Sequence, residues 1–177
     1  GEVNTRFGQT GKVLEDTSKQ FMKFAEINDT DLNESIDVSD RIMEQFGITT
    51  EQTSGFLGLL TQRGQETGKS VTELMSQLDS NAALFKELEL SVEESANLLA
   101  IFETNGVDAG VALKGLKTAT NNYAKEGLSA RQGLEKTIDR IKKAKTSTEA
   151  LALAQDTFGS KGAQVMADGI REGRISL

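Results

Sequence analysis

One instruction recurs along this chain: a helix stops, the backbone turns on an apolar residue, and the next helix starts. Phe46-Gly47-Ile48-Thr49-Thr50-Glu51-Gln52 carries it, and Leu88-Glu89-Leu90-Ser91-Val92-Glu93-Glu94 carries it again 42 residues later. The register then holds without a gap. Phe56-Leu57 falls on Leu98-Leu99, Leu59-Leu60 on Ile101-Phe102, Gly64 on Gly106 and Gly68 on Gly110. An earlier copy opens at Phe7-Gly8-Gln9-Thr10, offset by 39, and sets Asp31-Leu32-Asn33-Glu34 against Ser70-Val71-Thr72-Glu73. Helical pairs that recur at a period of about 40 residues cannot each bury their own apolar face, so they stack on their neighbours. Such a chain points to an interaction or structural module and away from a catalytic pocket.

The helix boundaries are signed at both ends. A Ser, Thr or Asp followed three residues on by Glu or Gln satisfies backbone N–H groups that the first turn leaves unpaired. That pattern occurs at Asp31…Glu34, Thr49…Gln52, Ser70…Glu73, Ser91…Glu94, Ser129…Gln132 and Thr146…Glu149. Stops fall at Gly47, Gly64 or Gly68, Gly106, Gly127, Gly159 and Gly173, and with no Pro in the chain these glycines have to end the helices. Between the marks, apolar residues recur at steps of three and four, as in Leu14, Phe21, Phe24 and Ala25, or Leu113, Leu116, Ala119 and Tyr123. Period-two alternation is absent, so no strand is expected. The expected fold is all-α, with stacked antiparallel pairs of short helices and no β-sheet. The expected organisation is a single α-helical domain over 1–177, with helical-pair repeats around 7–46, 46–88 and 88–127 and a divergent part at 128–177.

Composition narrows the chemistry. The chain has 177 residues and no Cys, His, Pro or Trp. Without Cys there are no disulfides or thiolate ligands, and without His the commonest general base and transition-metal ligand is missing. Apolar residues make up 37% of the chain and aromatics 5%, eight of the nine being Phe. The core is therefore built mainly of Leu, Ile, Val, Ala and Met. A formal charge of −7 argues against binding a phosphate backbone as the main task. No run approaches the roughly 18 apolar residues of a membrane span, and no signal peptide opens the sequence. The absence of an initiator Met, and an opening (Gly1-Glu2-Val3-Asn4-Thr5-Arg6) that reads as the end of a helix, suggest an excerpt of a longer protein.

Several motifs imitate chemistry. Gly64-Gln65-Glu66-Thr67-Gly68-Lys69-Ser70 resembles a phosphate-binding loop, but it has three residues between its glycines instead of four and follows a helix, not a strand. Its plain reading is a helix stop followed by the Ser70 cap. Gly8-Gln9-Thr10-Gly11-Lys12 fails in the same way, with Val13 where a hydroxyl should hold magnesium. Asp29-Thr30-Asp31-Leu32-Asn33, with Asp37 and Asp40, begins like a calcium loop; Glu34 occupies the position that needs Gly, and Asp40 the one that needs Glu. Arg140, Lys142, Lys143 and Lys145 form a basic cluster where a helix C-terminus favours cations. The methionines at 22, 43, 75 and 166 read as core fillers. Paired acids such as Glu93-Glu94 sit in a first turn, where capping accounts for them. No catalytic, cofactor-binding or metal residue is assigned, and no enzyme activity is expected.

The segment from Gly1 to Gly8, with Leu14-Glu15-Asp16-Thr17-Ser18-Lys19-Gln20-Phe21 and Phe24-Ala25, resembles the opening of the tape measure domain of tailed bacteriophages. So do Phe46-Gly47-Ile48-Thr49, the run from Leu90 to Leu99, and Phe102-Glu103 with Gly106-Val107-Asp108-Ala109, Leu113 and Gly115-Leu116. The closing run from Gly169 to Leu177 belongs to the same pattern. The resemblance covers essentially the whole chain and rests on structural motifs, so it supplies no site. It implies a minor tail protein of a phage or prophage that takes part in tail assembly and tail-length determination and occupies the tail lumen. The implied partners are further copies of itself, tail tube subunits and an assembly chaperone, with no specific nucleic acid and no cofactor. The implied location is the virion tail, and the bacterial host cytoplasm during assembly. The alternatives are a cytoplasmic α-solenoid adaptor that binds a peptide or helix, which would require a contiguous exposed apolar stripe, and a fragment of a larger enzyme.

Overall fold

A computed structural model describes residue 8 and residues 11–176 of the chain. The expected helix end over 1–6, and positions 7, 9 and 10 of the first repeat copy, lie outside these residues. So does residue 177.

Among the described residues there are ten α-helices and no strand. They are α1 (Gly11–Asn28), α2 (Leu32–Phe46), α3 (Thr53–Thr67), preceded by a 3-10 turn at Thr50–Gln52, α4 (Val71–Ser80), α5 (Ala82–Glu87) and α6 (Val92–Thr104). Then follow α7 (Ala109–Lys125), α8 (Ala130–Lys143), α9 (Ser147–Phe158) and α10 (Ala163–Arg171). The fold is all-α.

Five of the joints between helices share one geometry. A residue one or two positions past the helix adopts the left-handed conformation: Asp29 (φ 50°), Gly47 (68°), Glu89 (55°), Gly106 (69°) and Gly127 (79°). The next residue, Thr30, Ile48, Leu90, Val107 or Leu128, donates its N–H back to the carbonyl of Ala25, Met43, Phe85, Phe102 or Tyr123, at 2.8–3.0 Å. This is a Schellman closure, which satisfies carbonyls that the helix end leaves open. The following residue is the N-cap of the next helix. Asp31 Oδ1 accepts from Glu34 N at 2.8 Å, Ser91 Oγ from Glu94 N at 3.1 Å, Asp108 Oδ1 from Val111 N at 2.9 Å and Ser129 Oγ from Gln132 N at 3.1 Å. At the second joint Gln52 Oε1 accepts the N–H of Thr49 at 2.9 Å. Stop, turn and start are therefore compressed into three consecutive residues, the middle one apolar at four of the five joints and Thr30 at the first.

The joint also sets side-chain size on either side of itself. Ten residues separate the last-turn residue whose carbonyl is used (25, 43, 85, 102, 123) from the fourth residue after the cap (35, 53, 95, 112, 133). The first set is Ala, Met, Phe, Phe and Tyr; the second is Ser, Thr, Ser, Ala and Gly, all buried. Small residues there let the start of a helix approach the end of its predecessor. The joint after α3 departs from this form. Gly68 carries the left-handed φ of 70°, while Gly64 stays helical and, lacking a Cβ, leaves room for Val71, whose Cγ2 lies 2.9 Å from where that Cβ would stand. Between the two candidate stops the helix uses the later one, although the 42-residue register aligns Gly64 with Gly106.

Left-handed backbone costs a residue with a Cβ roughly 1–2 kcal/mol and glycine almost nothing. Glu89→Gly is therefore expected to raise stability by about 0.5–1 kcal/mol. Thermal unfolding checks this, and a lower melting temperature would contradict the strain argument.

The chain divides into two compact units. The first comprises Gly1–Ala83 and Ser91–Ala100, the second Leu84–Leu90 and Ile101–Leu177. In the first unit α1 and α4 each pack on both α2 and α3. Phe21, Phe24, Ile36, Ile42, Met43, Phe56, Leu60, Met75 and Leu78 fill its core. Asn28 Nδ2 donates to Thr61 Oγ1 at 3.0 Å between α1 and α3. In the second unit α9 packs on α7, α8 and α10, and α8 packs on α7 and α10. Phe102, Leu113, Leu116, Leu134, Ile141, Phe158, Met166 and Ile170 are buried there. Met43, Met75 and Met166 fill core space as expected, but Met22 is 58% exposed. It lies off the Thr17-Phe21-Phe24-Ala25 stripe by which α1 is buried.

Candidate interaction surfaces

Three of the motifs that imitate chemistry are occupied by helix architecture; the fourth, Gly8-Gln9-Thr10-Gly11-Lys12, lies partly outside the described residues. In the phosphate-loop imitation, Gly64 lies in the last turn of α3, Ser70 caps α4 by accepting from Glu73 N at 3.2 Å, and Lys69 Nζ stands 3.5 Å from Glu73 Oε2. In the calcium-loop imitation, Asp29 is the left-handed stop and Asp31 the cap. From Leu32 onward that stretch is helix, so its carboxylates point around a cylinder and do not fold around a common centre. Asp37 accepts from Arg41 at 2.9 Å. Among the described residues no group of three or more acidic side chains converges as a metal site would require. The basic cluster occupies the last turn of α8 and the residues just after it, with Lys143 paired to Asp139 at 3.0 Å.

One polar knot ties α2 to α4. Arg41 donates from Nε and Nη2 to Asp79 Oδ2 at 3.2 and 3.1 Å, and Gln45 donates to Asp79 Oδ1 at 3.3 Å. The hydrogen bond to Asp79 raises the Arg41 guanidinium above its ordinary pKa, partial burial opposes that rise, and Asp37 adds to it. The knot borders a cleft of about 240 Å³ lined also by Thr30, Glu34, Ser35 and Thr72. Its polar groups bond one another and hold the two helices in register.

A larger open groove, about 810 Å³, runs along the exposed side of α3. Ile48, Phe56, Leu59 and Val92 give it apolar walls, Gln52, Gln62 and Glu93 a polar rim, and Gly55 and Gly58 a floor without side chains. A Cβ on either glycine would meet nothing within 4 Å. Packing inside the chain therefore does not require glycine at these two helical positions.

The strongest feature outside the core is a division of charge. The first unit holds 16 acidic and 7 basic residues, a formal −9; the second holds 11 acidic and 13 basic, a formal +2. Residues 26–51 contain eight acids and a single base, Arg41, whereas residues 114–145 contain nine bases and three acids. On α7 the exposed Lys114, Lys117 and Lys125 share one helix face with Asn121, and on α8 the exposed Lys136, Arg140 and Lys143 share another. On α2, Asp37, Asp40 and Glu44 fall on one face at the same spacing. The overall charge of −7 averages over this contrast, so a whole-chain reading misses it; a count by helix recovers it.

A family model described as phage-related minor tail protein matches residues 5–170. No curated protein and no solved structure matches the chain.

Proposed function

The chain belongs to the family of phage-related minor tail proteins, a structural component of the virion tail, and from that premise we propose that it is a tape measure segment. In this reading it works by assembly and packing and not by catalysis. It meets its partners (further copies of itself, tail tube subunits and an assembly chaperone) in the host cytoplasm before it is enclosed in the tail. The observation that carries the reading is the family match over residues 5–170 of a chain built of short helices joined by one repeated turn. The resemblance of those same turns to the tape measure domain supports the finer assignment.

The mechanics follow from helix length. One continuous helix of 177 residues would span about 265 Å at 1.5 Å per residue, whereas among the described residues the longest helix has 18 residues. A fully extended ruler would have to open the joints and expose the buried stripes to water, at roughly 25 cal/mol per Å² of apolar surface. The folded form therefore persists until tube or sister chains cover those stripes.

In-frame deletion of residues 1–177 from the encoding gene tests the reading. Tails shortened by up to about 265 Å, or tails that fail to assemble, are expected by electron microscopy. Normal tails of unchanged length would overturn it. The rival groove-binding adaptor needs a contiguous exposed apolar stripe. Among the described residues the large exposed apolar side chains are Val13, Met22, Ile27 and Val111, and on α1 Met22 points away from the face shared by Val13 and Ile27. That pattern does not favour the adaptor.

A further inference from the structure

We propose that the groove along α3 docks a short amphipathic helix of a partner protein, one with small residues on its apolar face and Lys or Arg along its edges. The proposal rests on the reading that the chain works by assembly, and it names one surface through which a partner would attach. Every residue lining the groove belongs to the first unit. Its floor is bare: Gly55 and Gly58 lie about one turn apart on the exposed face of α3, and no neighbour in the chain stands where a Cβ would reach. Each glycine weakens the helix that carries it, and the fold gains no close approach in return. Side chains hold packed helices about 8–10 Å apart, and glycines at the contact let a second backbone come nearer. The walls are apolar but recessed. Phe56 is buried, and Ile48, Leu59 and Val92 are half-buried, so they form a slot and not the broad exposed stripe of an adaptor. From Glu51 to Arg63 the slot runs roughly 18 Å, the length of about three helical turns. Among the described residues no strand edge borders it, so an extended peptide would find no backbone partners there, whereas a helix satisfies its own.

Charge complementarity sets the sign of the occupant. Glu51 and Glu93 on the rim are exposed, and among the described residues neither carboxylate is held in an ion pair or a hydrogen bond. Of the pair Glu93-Glu94 only Glu94 serves the cap, accepting the N–H of Ser91 at 3.0 Å. Arg63 is the one base among the described residues that line the groove, and it is paired with Glu66. The unit around the groove carries a formal −9. Cations along the edges of the docked helix complement this rim and steer its approach. A second copy seated here by two-fold symmetry would set the acidic rim against itself, so charge selects a basic partner over a further copy of the chain.

The experiment is a selection on the purified chain from a display library of three-turn helices with randomised faces. The helices retained are expected to carry Ala, Gly or Ser three or four positions apart, flanked by Lys and Arg. Their binding should weaken about tenfold or more between about 50 and 500 mM salt, as the charges are screened. Gly55→Gln with Gly58→Gln fills the floor with side chains that point into open space, so it should cost the retained helices about tenfold or more in affinity without lowering the melting temperature. Glu51→Gln with Glu93→Gln should weaken them about threefold or more and remove most of the salt dependence. Retained helices rich in Asp and Glu, binding that ignores the substitutions at Gly55 and Gly58, a library from which nothing is retained, or self-association of the chain that filling the floor abolishes would each overturn the proposal. The tail-length experiment does not depend on the groove, so the assembly reading stands or falls separately.

Discussion

Gly133→Ala is expected to cost about 2–4 kcal/mol of stability, although alanine is the better helix former by about 1 kcal/mol. Gly133 is the fourth residue after the Ser129 cap, where a small residue lets α8 start against the end of α7. A Cβ there would lie 2.1 Å from Tyr123 Cγ and 2.2 Å from Cδ2. The ring cannot slide past such an atom, so it must leave its place. In leaving, it gives up the hydrogen bond between Tyr123 Oη and Thr137 Oγ1, 2.6 Å long, and strands a hydroxyl that is buried. Chemical unfolding of the single variant measures the cost. A double-variant cycle identifies its cause: in a Tyr123→Ala background the penalty for Gly133→Ala should largely vanish. A penalty of the same size in both backgrounds would rule out the ring as the obstacle.

That close approach was not legible in the sequence, and the reason is instructive. Gly127-Leu128-Ser129 announces a stop, a turn and a cap, each by local chemistry that one residue type performs best. Tyr123 and Gly133 announce nothing locally, and their partnership exists only once the joint brings two helix ends together. The same division runs through the chain. The caps at Asp31, Ser70, Ser91, Ser129 and Thr146 could be read in advance because Glu or Gln follows three residues later. Asp108 caps equally well, with Val111 N–H as donor, but Val111 offers no such signal. Asp29 and Glu89 stop helices in the left-handed conformation that a search for glycine passes over. Gly64 and Gly68 read alike as stops in the sequence, whereas in the fold Gly68 ends α3 and Gly64 lies within it, where Val71 fills the space a Cβ would take. The acidic and basic faces were present in the sequence as letters, but they become surfaces only when helix spacing sets Lys136, Arg140 and Lys143 on one side. The phosphate-loop imitation departs from its motif in spacing and the calcium-loop imitation in residue type, and Ser70, Asp29 and Asp31 within them cap or stop helices.

Glycines inside helices give the last prediction, because here the same substitution should act with opposite signs. Gly115→Ala is expected to destabilise the chain by about 1–3 kcal/mol, and Gly55→Ala with Gly58→Ala to stabilise it by about 1 kcal/mol each. All three glycines sit within helices, so propensity alone predicts a gain at every one. At Gly115, however, a Cβ would stand 2.8 Å from the carbonyl carbon of Phe158, 3.0 Å from Gly159 N and 3.1 Å from Thr157 O. These are backbone atoms at the end of α9 and have no rotamer by which to retreat. Alanine there must push α7 and α9 apart, and the buried Leu116 and Phe158 lose contact with it. Gly55 and Gly58 face open space, so alanine at those sites only restricts the unfolded chain and shields the α3 backbone. Melting temperatures of the single variants and of Gly55→Ala/Gly58→Ala decide the matter. A gain at Gly115 would mean that α7 and α9 pack less closely than described. A loss at Gly55 and Gly58 in the isolated chain would show that these glycines already serve a contact within it. If instead the double variant is more stable but its virions assemble short or aberrant tails, the bare floor of the α3 groove is kept for a neighbour that approaches closer than a methyl group allows.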